Sequence, residues 1–265
     1  MAPQRGDQDL TPDPELDLAA WIEAIDRESQ AIARAVTRSG LDAPVPTCPD
    51  WQVRDLVHHL GGVHRWATAH VAEHRSAQMP TDEASALMAS HPDDESLLEW
   101  FEQGHQMLSQ VLSAASADLS CWSFLPAPSP LAFWARRQAH ETEIHRADVE
   151  FAAGSDPTPF PAQIAADGIE EMLFGFAPRW HRLKLESQFQ IALLPVERPD
   201  GWLVHLGPDG VRAQRGQEDA GCRVRGTSSD LYLLLWNRLP SDSLEVEGNR
   251  EALESWRRTI RVRWS

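Results

Sequence analysis

The segment RRQAHETEIHRADVE, residues 136–150, places His140, Glu141 and His145 within six positions. Imidazole nitrogens and carboxylate oxygens are the usual protein ligands of a catalytic divalent cation. The order is close to the HExxH zinc-binding motif, but the second histidine falls one position late and Ile144 stands where the motif needs it. On a helix, at about 100° per residue, His140 and His145 are about 140° apart and cannot share one ion. Glu141 and His145, four positions apart, are separated by only about 40°.

In the same projection Leu131, Trp134, Ala135, Gln138, Val149 and Ala152 form one mostly apolar face. His145 lies within it and Glu141 at its edge. An acid and an imidazole turned into a helical core are costly unless they are paired or bound to a metal. A third ligand would come from a facing helix. In DWQVRDLVHHLGG the buried side is marked by Val53, Leu56, Leu60, Val63 and Ala67. His59 sits at the edge of that side and His58 points away from it, with His64 and His70 as weaker options. Two histidines and one carboxylate on facing helices form a three-ligand site with open positions, as in catalytic zinc. Fe(II), Mn(II) or Ni(II) would also fit such a donor set. The competing reading is that Glu141 and His145 are simply an ion pair beside a partly buried His59.

The elements that must hold these residues follow from periodicity. Helical spacing runs from Pro14 to about Ser39, from Trp51 to about His74 with Asp50 as N-cap, from Asp94 to about Ala117, and from about Leu131 to Ala153. MPTDEASALMASHPDD is a long connection with room for a short helix. Four long helices over residues 14–154 predict a four-helix bundle. Residues 1–13 read as a disordered tail. From residue 160 the texture changes. A helix over 161–180 is followed by strand-like QFQIALLP, GWLVHLG and GCRVRG, with Asp-Gly turn signals in ERPDGW and GPDGVR. SSDLYLLLWNRL, SLEVEG and NREALESWRRT then read as helix, strand and helix. Residues 160–265 are expected to form an α+β domain.

The chain has 265 residues, 24 Lys and Arg against 40 Asp and Glu, and a formal charge of −16. That balance disfavours nucleic acid and anionic membranes as partners. The cationic SWRRTIRVRW is the local exception, read as a solvated helix end followed by an edge strand. No run approaches the length of a membrane span, the N-terminus does not read as a signal peptide, and three scattered cysteines make no disulfide framework. These features predict a cytoplasmic protein.

PTCPDWQVRDLVHHLGG and FWARRQAHETEIHRADVE resemble the two hallmark segments of the mycothiol-dependent maleylpyruvate isomerase family. GTSSDLYLLLWNRLPSDSLEVEG is similar to that family's C-terminal domain. The resemblance implies a DinB-like bundle followed by a small α+β module like the sterol-carrier fold. It also implies zinc on a helix-two histidine and a Glu-x-x-x-His pair, which here are His59, Glu141 and His145. Arg238, in LWNRL, matches a C-terminal-domain arginine implicated in the family's isomerase.

From the resemblance, the expected activity is metal-assisted use of mycothiol, a low-molecular-weight thiol, as a thiolate. The expected reaction is cis–trans isomerisation or S-transfer on a small electrophile, with the chain working as a monomer or homodimer. Arg238 would pair with a substrate carboxylate or an enolate-like oxygen. Arg137 and Asp148 flank the ligand face; each reads as an ordinary surface salt bridge, with orientation of the ligands as the alternative. Cys48 reads as a structural loop residue, and Cys121 and Cys222 as inert. The rival functions are a non-catalytic metal- or ligand-binding protein and a metal-dependent hydrolase with Glu141 as base.

Overall fold

In the computed structural model, residues 16–181, 183–216 and 219–262 are described. The expected tail over residues 1–13 lies outside them. The first half is helical: α1 (Leu18–Ser39), α2 (Val53–Ala72), a short α3 (Thr81–Ala89), α4 (Asp94–Ala114) and α5 (Pro130–Ala152). The ends of these helices have local causes. Asp17 caps α1 by accepting from the Ala20 N–H at 2.9 Å, and Gly40 leaves it at φ +74°. Ser129 caps α5, Pro130 supplies its first turn, and Gly154 follows at φ +73°. α1 packs on α5 and α2 on α4, giving the expected four long helices.

Boundaries differ from expectation at α1, which begins at Leu18 rather than Pro14, at α4, which ends at Ala114 rather than about Ala117, and at the start of α2. Asp50 does not cap α2; Gln52 does, its N–H donating to Asp55 Oδ2 at 2.8 Å. Trp51 and Val53 are held in place by bonds to the loop before them, Val45 N–H to Trp51 O and Val53 N–H to Ala43 O, both at 2.9 Å. This pairing delays the start of the helix and leaves Trp51 outside it.

The second half contains α6 (Ala162–Glu170), which runs into a π-helical turn (Glu171–Phe176) and a 3-10 turn (Ala177–Arg179). It is followed by β1 (Phe189–Pro195), β2 (Trp202–Gly207), β3 (Gly210–Arg215), β4 (Cys222–Gly226), α7 (Ser228–Leu235), β5 (Glu245–Gly248) and α8 (Glu251–Thr259). The sheet order is β3-β2-β1-β4-β5, with β1 and β4 parallel and the other pairs antiparallel. β3 has no counterpart among the expected strands, because VRAQR is polar and short; it forms as the return arm of a tight hairpin after Pro208-Asp209, with Gly210 at φ +110°. No strand follows α8 over residues 260–262, and the rest of the expected edge strand lies outside the described residues.

Alternate sheet residues, among them Ile191, Leu193, Trp202, Val204 and Val224, face the helices and join one continuous core with α1, α5 and α6. A second apolar cluster fills the other end of the bundle between α1, α2, α4 and α5. As a result α5 is enclosed on every side: each residue from Arg137 to Glu150 is buried, charged ones included. No helix among the described residues is long and apolar enough to cross a membrane.

Candidate metal centre

Helices α2 and α5 bring His59, Glu141 and His145 together. One ligand atom from each lies within 4.8 Å of the others. Glu141 Oε1 is 3.2 Å from His59 Nε2 and 3.3 Å from His145 Nε2. Ligands about 2.0–2.1 Å from a tetrahedral zinc stand about 3.3 Å apart, so two edges of the triangle already have that length. The donors are the nitrogen and oxygen types that zinc takes, and Glu141 and His145 are 3% and 5% exposed. The residues present therefore fit a divalent cation. The Trp51 ring stands over the same triangle, its centroid 5.0 Å from that of His59 and 6.1 Å from that of His145.

Each candidate ligand on α5 is gripped on its far side. Arg137, one turn before Glu141, donates to Glu141 Oε2 at 2.8 Å and also to Glu171 in the π-helical turn. His145 Nδ1 is 2.9 Å from Asp148 Oδ2. Asp148 is fully buried. It also accepts from Thr47 Oγ1 at 2.5 Å and from Arg238 Nε and Nη2, each at 2.9 Å.

Burial opposes the charge on both carboxyls, but Arg137 with two imidazoles holds Glu141 well below the usual carboxylate range, and Arg238 with His145 does the same for Asp148. Because Asp148 is ionised it can only accept, so Nδ1 of His145 carries the proton of that bond and Nε2 is the atom turned to Glu141. For His145, burial alone would lower the pKa; the bonds to Asp148 and Glu141 overcome it and raise it to about 9. His59 goes the other way, its pKa lowered chiefly by burial.

The other sequence candidates do not join the cluster. His140 points to the opposite side of α5, between Glu143 at 3.1 Å and Asp167 at 2.8 Å. His58 stacks on His91 with ring centroids 3.5 Å apart. His64 meets Thr142 Oγ1, and His70 Nδ1 meets the Trp66 carbonyl. Cys48 lies beside Asp148 and Arg238, and its thiol is pushed up to about 11, chiefly by burial, so it is a poor nucleophile.

Two neighbours of the site, Glu171 and Trp51, are not among the residues that the sequence singles out. Glu171 is thirty residues beyond Glu141 and carries no local signal. Trp51 stands in the motif segment PDWQV, where the misplaced helix start conceals its role. Arg137 and Asp148 are not surface salt bridges but buried partners of Glu141 and His145.

Comparison with known proteins supplies the context. The model of the mycothiol maleylpyruvate isomerase N-terminal domain matches residues 22–150, and that of the MDMPI C-terminal domain matches residues 163–255. No curated protein matches the sequence. Among solved structures, that of a mycothiol-dependent maleylpyruvate isomerase aligns with TM-score 0.61 and 14% identity, over 89% of this chain and 95% of that one. A histidine-to-alanine mutant of a mycothiol-dependent maleylpyruvate isomerase aligns at TM-score 0.59 and 14% identity, with the same coverage. At that identity the likeness establishes the fold.

Proposed function

The chain belongs to the mycothiol-dependent maleylpyruvate isomerase family, an enzyme family whose N- and C-terminal domain models it matches in order, and from that premise we propose that it is a metal-dependent enzyme using a low-molecular-weight thiol, mycothiol, on a small electrophilic metabolite. The reaction is cis–trans isomerisation, in keeping with the isomerase whose solved structure shares the fold, or thiol transfer on the same scaffold. The observation that carries this reading is the triangle of His59, Glu141 and His145 in the interior of that shared fold.

His59 Nε2, Glu141 Oε1 and His145 Nε2 would hold the cation, zinc being the best match to the donor set. A divalent cation there supplies a Lewis acid that lowers the pKa of a thiol it binds, making the thiolate available near neutral pH. The surrounding residues set the charge. Glu141, Asp148 and Glu171 face Arg137, Arg238 and the His145 imidazolium, a formally neutral set. Replacing the His145 proton with a dication leaves one positive charge, which suits an anionic sulfur ligand. Arg137 occupies Oε2 of Glu141, so the carboxylate offers one oxygen and takes up one position rather than two. Trp51 packs beside both imidazoles.

The test is elemental analysis of the wild type beside His59→Ala and His145→Ala, with mycothiol titrated into each. About one zinc per wild-type chain, absent from both variants and required for thiol binding, is the expected result. A folded wild type that takes up no divalent metal would overturn the proposal and leave a buried ion pair in a binding protein.

A further inference from the structure

Arg238 follows α7, whose end is a Schellman motif. Asn237 N–H donates to Leu234 O at 2.9 Å and Arg238 N–H to Leu233 O at 2.8 Å. Asn237 takes the left-handed conformation at φ +61°, which asparagine tolerates, and its side-chain amide is tied to Ile260 O at 2.8 Å. The backbone thus delivers the Arg238 side chain from a fixed point towards α5, where its side chain is 15% exposed.

A guanidinium has five N–H donors. The Nε–H and one Nη2–H of Arg238 go to the two oxygens of Asp148, the second Nη2–H faces Cys48 Sγ at 3.6 Å, and one Nη1–H goes to Trp236 O at 2.9 Å. One N–H remains. A bidentate grip on a substrate carboxylate would need two parallel donors on one edge; the Nε–Nη2 edge is spent on Asp148, and on the Nη1–Nη2 edge the Nη2 donor faces Cys48 while Nη1 already serves the Trp236 carbonyl.

We propose that Arg238 is a positioning residue rather than a substrate contact: it clamps Asp148 from both carboxylate oxygens and, through Asp148, fixes the ring of His145 with Nε2 towards the metal. This inference rests on the metal reading above. Thr47 and Arg238 reach Asp148 from two parts of the chain far from each other in sequence, so this one carboxylate ties the loop before α2, helix α5 and the segment after α7 to a single metal ligand. Outer partners of this kind set the orientation and basicity of a metal-bound imidazole, and their loss commonly costs about 10–100-fold in metal affinity.

The experiment is competition for Zn2+ against a chromogenic chelator, with wild type, Arg238→Gln, Asp148→Asn and the double variant, each checked for fold by circular dichroism. Each single variant should weaken zinc binding by about 10–100-fold, and the double variant should bind no more weakly than the worse single one, because both act through one chain of contacts. Should Arg238→Gln not fold, Arg238→Lys takes its place. A lysine keeps the charge but not the two-point grip, so a smaller loss, about 3–10-fold, is expected. Wild-type zinc affinity in a folded Arg238 variant would overturn this inference while leaving the metal reading intact. A wild type that binds no zinc would overturn both.

Discussion

Arg137 donates to Glu141 Oε2 over 2.8 Å, one helical turn apart, and this bond leaves Oε1 alone facing His59 and His145. The guanidinium is buried and also serves Glu171, so its removal would strand two carboxylates in the interior. Arg137→Met should therefore lower the stability of the metal-free protein by about 3–5 kcal/mol. Urea denaturation in the presence of a chelator measures it. A loss below about 1 kcal/mol would show that water replaces the guanidinium, contrary to the packed interior described.

Metal uptake should release a proton. With its pKa raised to about 9, His145 is protonated at neutral pH in the metal-free protein and must lose that proton when Nε2 binds a cation. Zinc affinity should rise about tenfold per pH unit from about pH 7 towards 9 and then level off. Calorimetry in buffers of different ionisation enthalpy would count about one proton released per zinc at about pH 7. No release at that pH would place His145 in its neutral form beforehand.

On the opposite side of α5, His140 lies between Glu143 and Asp167, and Asp167 also pairs with Arg136 at 2.9 Å. Burial would lower the His140 pKa, but these hydrogen bonds raise it from 6.5 to about 9. Since the folded value lies above the unfolded one, this stabilisation is complete below about pH 6.5 and disappears as pH rises through about 9. Asp167 has the opposite sign. It is held below its ordinary 3.8 by Arg136 and His140 against the effect of burial, and its contribution is lost on acidification. Asp167→Asn should be less stable than wild type at about pH 6, with the gap narrowing towards about pH 9. Thermal unfolding midpoints across that range check the sign.

Gly168 is a point of close approach between α6 and α7. A Cβ there would stand 2.5 Å from the ring of Tyr232, which is fully buried and hydrogen-bonded to the His140 carbonyl. An alanine normally stabilises a helix relative to glycine. Here Gly168→Ala should instead destabilise by about 1–3 kcal/mol through overpacking, measurable by denaturant titration. A stabilised variant would mean that the Tyr232 ring moves freely.

The long helices are legible in the sequence because their apolar residues recur at helical spacing. The expected span from about Leu131 to Ala153 lies within one residue of α5 at each end, where Ser129 caps it and Gly154 follows it. The proximity of Glu141 and His145 is legible for a related reason: four-residue spacing puts them on one face whatever surrounds the helix. What surrounds the helix is not legible. A projection of α5 suggests one buried face, whereas α6, the π-helical turn and α7 bury the rest, so Arg137 and Asp148 read as surface charges. Periodicity cannot reveal that Glu171 and Arg238 come back to neutralise them, because those partners are 34 and 90 residues away. β3 escapes the same reading because an edge strand with polar outward residues carries little hydrophobic signal.

The complete enclosure of α5 gives the protein a temporal order during its own synthesis. When residues 1–152 have left the ribosome, all three ligands are present, but Glu171, Asp167 and Arg238 are still to come. Arg137, His140 and Asp148 then have their partners within α5, which are Glu141, Glu143 and His145, but lack Glu171, Asp167 and Arg238, which complete their pairing in the finished fold. A nascent chain at that stage has the composition of a metal site without its rigidity. The candidate site therefore gains its full set of charged partners only when the last third of the chain closes over the helix.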